Sequence, residues 1–326
     1  MSKLLLVSSP FVRDERNTPQ LMRDVIGSLV PILIMSMWVF GVIALLMVAV
    51  TGATAVVTER LVTSKRSLHD GSALLTGLLL GFVLPPGLPL WMGALGSAFA
   101  VGLGKAAFGG LGANIFNPAL LGRAFLQAAF PEAMTTWVAP QMGFWQLPER
   151  SLAWPLMGSH VDGISAATPL GGFKFQGLTT DLSEMVVGTT AGSLGETATW
   201  LLVLCGLWLA LRKAFDWRLP VSTLFSVALL SWVLHATVPE RCADPMTMLG
   251  SGGLMFAAVF MVTDPVTTPV TAKGMWLFGF GTGVLVVLIR SFGGLPEGVM
   301  YAVLLMNAVT PWINRFTQPR VFGGLA

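Results

Sequence analysis

Charge is scarce in this chain. Of 326 residues, 19 are Lys or Arg and 16 are Asp or Glu, which is 11%. An ordinary soluble domain carries about 25%. Hydrophobic residues make up 54%, and the mean hydropathy is +0.75. A water-soluble fold cannot hide that much apolar surface, so a soluble enzyme, a nucleic-acid binder and a disordered chain are excluded. Two cysteines, Cys205 in an apolar stretch and Cys242 in a polar loop, are too few for a disulfide framework or an iron–sulfur ligand set. His69, His160 and His235 are scattered without metal-ligand spacing. The sequence has no P-loop, dinucleotide fingerprint or Ser/His/Asp arrangement, so nucleotide hydrolysis has no support. The only apolar run near the N-terminus, Leu4–Val7, is too short for a signal-peptide core. The N-terminus is therefore expected to be retained.

Glycine, proline and tryptophan are plentiful: 37, 20 and 11 residues. Apolar segments fall at 23–41, 42–60, 72–84, 88–107, 117–131, 194–211, 219–238, 249–263, 274–291 and 297–313. A perpendicular span needs about 20 residues, so the short segments 72–84 and 249–263, each ending in proline-rich turns, point to broken helices. The expected fold is an all-α integral membrane protein of about ten transmembrane helices. With the N-terminus cytoplasmic, fourteen Lys and Arg fall inside and four outside (Arg150, Lys174, Arg241 and Arg290), while Arg123 lies within a span. The positive-inside rule then places both termini in the cytoplasm.

The ten spans divide into halves. Segment three ends in Leu-Pro-Pro-Gly-Leu-Pro and segment eight in Thr-Asp-Pro-Val-Thr-Thr-Pro. Phe-Gly-Gly-Leu follows the next span in each half, at 108–111 and 292–295. Five spans per half imply two inverted repeats, with a site between broken helices near their pseudo-symmetry axis. The expected division is a first membrane repeat at 1–131, an outside loop at 132–193 and a second repeat at 194–326. Trp137, Phe144, Trp145, Trp154, Phe173 and Phe175 argue that the loop is ordered against the membrane surface.

Three constellations could carry chemistry. In the loop, Asp162-Gly163-Ile164-Ser165-Ala166-Ala167-Thr168-Pro169 combines small residues with a threonine that Pro169 forces into an extended conformation, presenting its hydroxyl outward. No base adjoins Thr168, so it is read either as an ordinary loop residue or as an acceptor modified by another enzyme. Before span five, Asn114 and Asn117-Pro118 offer a helix cap, and Asn114 offers the amide geometry that the edge of a flat heterocycle requires. At the end of span eight, Asp264 in Thr263-Asp264-Pro265-Val266 either faces water or meets a ligand or ion. Arg123, about two turns into span five, needs a carboxylate, a carbonyl or an anionic ligand. Glu196 and Glu297 sit near helix starts, where capping is the expected role.

Together these constellations resemble one family, the flavin-carrying membrane protein that serves as the D subunit in Rnf electron-transport complexes and as the B subunit in sodium-pumping NADH:quinone reductase. The likeness runs over nearly the whole chain. It includes Ser8-Ser9-Pro10, Ser72-Ala73-Leu74-Leu75-Thr76-Gly77, the Asn114/Asn117-Pro118 segment, Gly192-Ser193-Leu194-Gly195-Glu196-Thr197, Asp264-Pro265-Val266 and Pro296-Glu297-Gly298. Asp162 to Thr168 looks like the family's flavinylation motif, with Asp162, Gly163 and Ser165 flanking the acceptor. Ala113 departs from the polar or basic residue that many relatives carry there.

The resemblance implies FMN joined through its phosphate to the Thr168 hydroxyl by a separate flavin transferase, on the periplasmic side of the inner membrane. It also implies a noncovalent riboflavin, expected near Asn114, Asn117 and Asp264, and a fold of inverted repeats akin to urea transporters. The expected partners are the other membrane, flavoprotein and iron–sulfur subunits of a redox-driven ion-translocating complex and the lipid bilayer, with no nucleic acid. Chain length and the short N-terminus favour the Rnf protein over its quinone-reductase counterpart. A flavin-free channel or transporter on the same fold is the rival from another class, and a cofactor-free scaffold subunit is a third reading.

Overall fold

In lipid every backbone polar group must be satisfied within the chain, and apolar runs of this length do so as helices. The computed structural model describes residues 17–62, 70–140, 143–148, 150–154, 166–196 and 198–319, and among the described residues there is no strand. The first half holds α1 (Thr18–Phe40), α2 (Val42–Val62), α3 (Ser72–Val83), α4 (Leu90–Gly102) and α5 (Pro118–Ala129). The described residues of the expected loop and its edge form three short helices, α6 (Pro131–Thr135), α7 (Pro169–Gln176) and α8 (Leu182–Val187). The second half holds α9 (Thr199–Leu211), α10 (Arg218–Thr237), α11 (Pro245–Gly250), α12 (Leu254–Phe260), α13 (Ala272–Phe292) and α14 (Val299–Phe316).

Each of the ten apolar segments contains a helix, and the chain is a multi-pass membrane protein. Among the described residues, five helices are long and apolar enough to cross on their own: Thr18–Phe40, Val42–Val62, Leu90–Phe108 (α4 carried on through a 3-10 turn), Arg218–Thr237 and Ala272–Phe292. Two expected spans are interrupted. Segment 194–211 begins with a 3-10 turn, Leu194–Glu196, and reaches α9 through Ala198 at φ 54°. Segment 249–263 breaks between α11 and α12 at Gly252, where φ is +64° and a Cβ would stand 2.8 Å from Arg290 Nη2. Only glycine suits both the turn and the guanidinium beside it.

The same pairings recur in the two halves. In the first, α2 packs on α3 and α4, and α4 on α5; in the second, α10 packs on α11, α12 and α13, and α13 on α14. Across the halves, α1 meets α9 and α5 meets α14. The tightest seam sets Gly279 and Gly283 of α13 against Ser222 and Ser226 of α10, the small-residue spacing that lets membrane helices approach closely. The cations ahead of the two Phe-Gly-Gly-Leu turns also correspond. Lys105, 3% exposed, donates to Ser72 Oγ at the head of α3 (2.5 Å) and pairs with Glu59 (2.5 Å). Arg290, 4% exposed, donates to Met248 O (2.6 Å) and Ser251 O (3.1 Å), ahead of α12.

The outer surface is apolar, with Trp38, Trp232 and Trp312 each more than 60% exposed. In the expected loop, Trp137 is buried and Phe173 packs on the core, whereas Phe144, Trp145, Trp154 and Phe175 are exposed.

Candidate functional site

Thr168 caps α7. Its backbone is extended (φ −69°, ψ 155°), as the following proline dictates, and its Oγ1 accepts from Gly171 N at 3.1 Å. The hydroxyl is therefore not presented outward as the sequence suggested. Satisfying the orphan amides of the helix head turns it inward, and the residue is 5% exposed. What it borders is a cavity of about 440 Å³, walled by Trp137, Phe175, Met261 and Tyr301 and by the polar groups of Arg123 and Glu297. Asp162, Gly163 and Ser165 lie outside the described residues.

Contacts at both ends fix α7. Ala166 N donates to Trp137 O at 3.0 Å. Lys174 Nζ donates to three carbonyls at the end of α13 and in the turn beyond it: Arg290 O (2.8 Å), Gly293 O (2.6 Å) and Leu295 O (3.3 Å). Burial lowers the Lys174 pKa from its ordinary value, so the three carbonyls supply the solvation that water does not.

Arg123, 7% exposed, forms an ion pair with Glu297. A cation inside a span needs such a partner, and the structure supplies it 174 residues away. Glu297 consequently does not cap α14, which has no side-chain cap. Glu196 does act as a cap, accepting from Ser193 N at 3.1 Å through Oε2.

The second and third constellations meet in another cavity, of about 80 Å³, lined by Asn114, Asn117, Asp264 and Lys105. Asn117 caps α5, accepting from Ala119 N (3.0 Å) and Leu120 N (3.3 Å). Asn114 donates to Phe116 O (3.3 Å), and its Oδ1 is buried without a partner. Asp264 accepts from Val266 N (3.1 Å) and Thr267 Oγ1 (3.2 Å). Asn307 on α14 ties the two segments together. Its Oδ1 accepts from Asn117 N (3.3 Å), and its Nδ2 donates to Thr267 O (3.2 Å), which Thr310 Oγ1 also reaches (3.0 Å). Sequence reasoning passed over Asn307, although an asparagine within an apolar span was a signal available to it.

Two helices form a wall common to both cavities. On α5 Ala119 lines the second and Leu120 the first; on α12 Phe260 lines the second, and Met261, the residue that ends the helix, lines the first. The sequence-predicted residues thus fall into two groups back to back, Thr168 with Arg123, and Asn114 and Asn117 with Asp264.

The residues around the first cavity suit a flavin attached at Thr168. The hydroxyl stands at a helix head, where a phosphate is favoured, an apolar and aromatic wall faces a ring system, and the volume lies in the range of small-molecule sites, about 300–1,000 Å³. The second cavity is suited in chemistry, because Asn114 Oδ1 is an acceptor waiting for an N–H donor. Its volume falls below that range, so a ring system enters only if its walls part.

The chain matches the model of the NQR2, RnfD, RnfE family over residues 5–323. It is 43% identical over 330 residues to the D subunit of the proton-translocating ferredoxin:NAD(+) oxidoreductase complex of Clostridium ljungdahlii, covering 97% of this chain and 95% of that protein. It is 40% identical to the D subunit of the ion-translocating oxidoreductase complex of Yersinia enterocolitica, and 38% identical to that of Escherichia coli, covering 98% of both chains in each case. Agreement over this length, on a fold whose polar residues gather at two cavities, supports one conclusion: the chain belongs to the NQR2, RnfD, RnfE family.

Proposed function

We propose that this chain is the D-type membrane component of a redox-driven, ion-translocating ferredoxin:NAD+ oxidoreductase complex, carrying FMN as a phosphoester on Thr168. The observation that carries the reading is Thr168 at the head of α7, bordering the 440 Å³ cavity that Arg123 and Glu297 also line. Bound there, FMN supplies one- and two-electron chemistry. The chain's own residues would hold it: Thr168 anchors the phosphate, Lys174 fixes α7, and Trp137 and Tyr301 wall the space for the ring system. The full-length likeness to relatives named as D subunits supports this reading over the quinone-reductase counterpart and over a flavin-free channel.

The same reading places the chain in the cell inner membrane, with both termini cytoplasmic and the Thr168 loop periplasmic. Its partners are the other membrane, flavoprotein and iron–sulfur subunits, with a flavin transferase for maturation. The exposed apolar girdle suits contact with lipid and neighbouring membrane subunits. A noncovalent riboflavin would be held at the second cavity, with its walls parted, by Asn114, Asn117 and Asp264.

In-gel flavin fluorescence after denaturation tests the attachment, with wild type and Thr168→Val each coexpressed with a flavin transferase. A fluorescent band near the 34.6 kDa chain mass that vanishes in the variant is the expected result. A dark wild-type band, with the transferase active on a control substrate, overturns it and leaves the channel reading in front.

A further inference from the structure

Arg123 and Glu297 line the first cavity, and two further ionisable groups stand behind its wall. Arg123 of α5, Glu297 ahead of α14, Glu196 in the turn before α9 and Arg290 of α13 interact electrostatically, and among the described residues no other titratable group acts on Glu196. Arg123 is committed to Glu297 and Arg290 to two carbonyls. Glu196 is left with the backbone amide and side chain of Ser193, and its Oε1, an atom sealed from solvent, has no partner.

That bare oxygen points at Gly253, in the wall of the cavity. A Cβ on Gly253 would stand 3.2 Å from Glu196 Oε1 and 4.0 Å from Arg123 Nη1, so glycine leaves only a side-chain-free backbone between Glu196 and the cavity that Gly253 and Arg123 line. A carboxylate oxygen in a dry interior without a donor is costly, and the ligand that removes the cost must fit beside two guanidiniums. A metal cation needs a shell of several oxygens and is repelled by both arginines. Among the described residues, no three of His, Cys, Asp or Glu converge. A proton needs one oxygen.

We propose that Glu196 is a proton-binding site behind Gly253 in the wall of the first cavity, holding a proton on Oε1 while Arg123 is paired with Glu297. Release breaks the O–H bond of Glu196, passes the proton to water in the cavity, and leaves a carboxylate for which Arg123 is the adjacent counter-ion. Proton binding itself does not depend on a flavin. Its use does rest on the function proposed above, in which the cavity holds a redox-active flavin.

Infrared spectroscopy of the full chain at neutral pH tests this through the carbonyl stretch of a protonated carboxylic acid. The wild-type minus Glu196→Gln difference is expected to contain that band, and its absence overturns the proposal. Should Glu196→Gln fail to fold, Glu196→Asp decides: a displaced band supports the site, and an unmoved one overturns it. In Glu297→Gln, Arg123 is free for Glu196, so the band is expected to disappear; persistence overturns the exchange of Arg123. The band is expected unchanged in Thr168→Val, which separates failure of this site from failure of flavin attachment.

Discussion

Asn117 and Asn307 lie 190 residues apart, yet the backbone amide of the first donates to the side chain of the second at 3.3 Å. The contact has a counterpart in Arg123 and Glu297. In each, a polar side chain within one of the two helices reaches the head of the other, so α5 and α14 run antiparallel where the halves meet. One contact borders the small cavity and the other the large one.

Removing one partner of the Arg123–Glu297 pair strands the other in a dry wall. Arg123→Leu is expected to lower stability by about 3–5 kcal/mol, whereas Arg123→Met combined with Glu297→Leu is close to neutral. Thermal melts of the singles and the double in detergent check this. A double variant as unstable as the singles would show that the pair is not the coupled unit.

Asn307→Leu removes the tie between the α5 head and the Thr267 carbonyl, leaving that carbonyl with Thr310 alone. The expected cost is about 1–3 kcal/mol, from a buried Asn117 amide left unsatisfied. Noncovalent flavin released on denaturation should fall, while the covalent fluorescence at Thr168 stays. Loss of both signals would place Asn307 in general folding.

The α10–α13 seam has no room for a methyl group at Gly283, where a Cβ would stand 2.6 Å from Thr223 O and closer still to Ser226 Oγ. Gly283→Ala is expected to cost about 1–3 kcal/mol through overpacking. Gly294→Ala, with nothing within 4 Å of its Cβ, is the control. Equal melting temperatures for the two variants would contradict the packing.

Asp244 caps α11, accepting from Met246 N and Thr247 N at 3.1 Å each. Burial pushes its carboxyl pKa up, but hydrogen bonds from Thr247 and Met246 outweigh this and hold it below the ordinary carboxylate value. Its contribution is therefore complete above the unfolded-state pKa and is lost as pH falls through the folded one. Asp244→Ala should cost about 1 kcal/mol at neutral pH and nothing at strongly acidic pH. Melts across acidic pH test this, and a difference that grows on acidification would reverse the assignment.

Much of this architecture was legible along the chain because its causes are local. Hydropathy marked the ten apolar segments, and Asn117 before Pro118 marked the head of α5, since an N-cap and a proline at the first helical position act within one turn. The helices of 132–193 escaped notice because they are short and owe their stability to contacts such as that of Lys174 with α13. Broken helices were expected, but the positions of the breaks, at Ala198 and Gly252, escaped for a related reason, being set by packing against neighbouring helices.

By itself, then, the sequence determined the membrane class, the segments, the caps and the residues able to do chemistry. Only the tertiary structure decided which of them share a cavity and that Glu297 answers Arg123 instead of capping its own helix. The physical reason is separation. Hydropathy and capping act over a few residues, whereas a buried charge is satisfied by whatever the fold brings within reach, here from the opposite half of the chain.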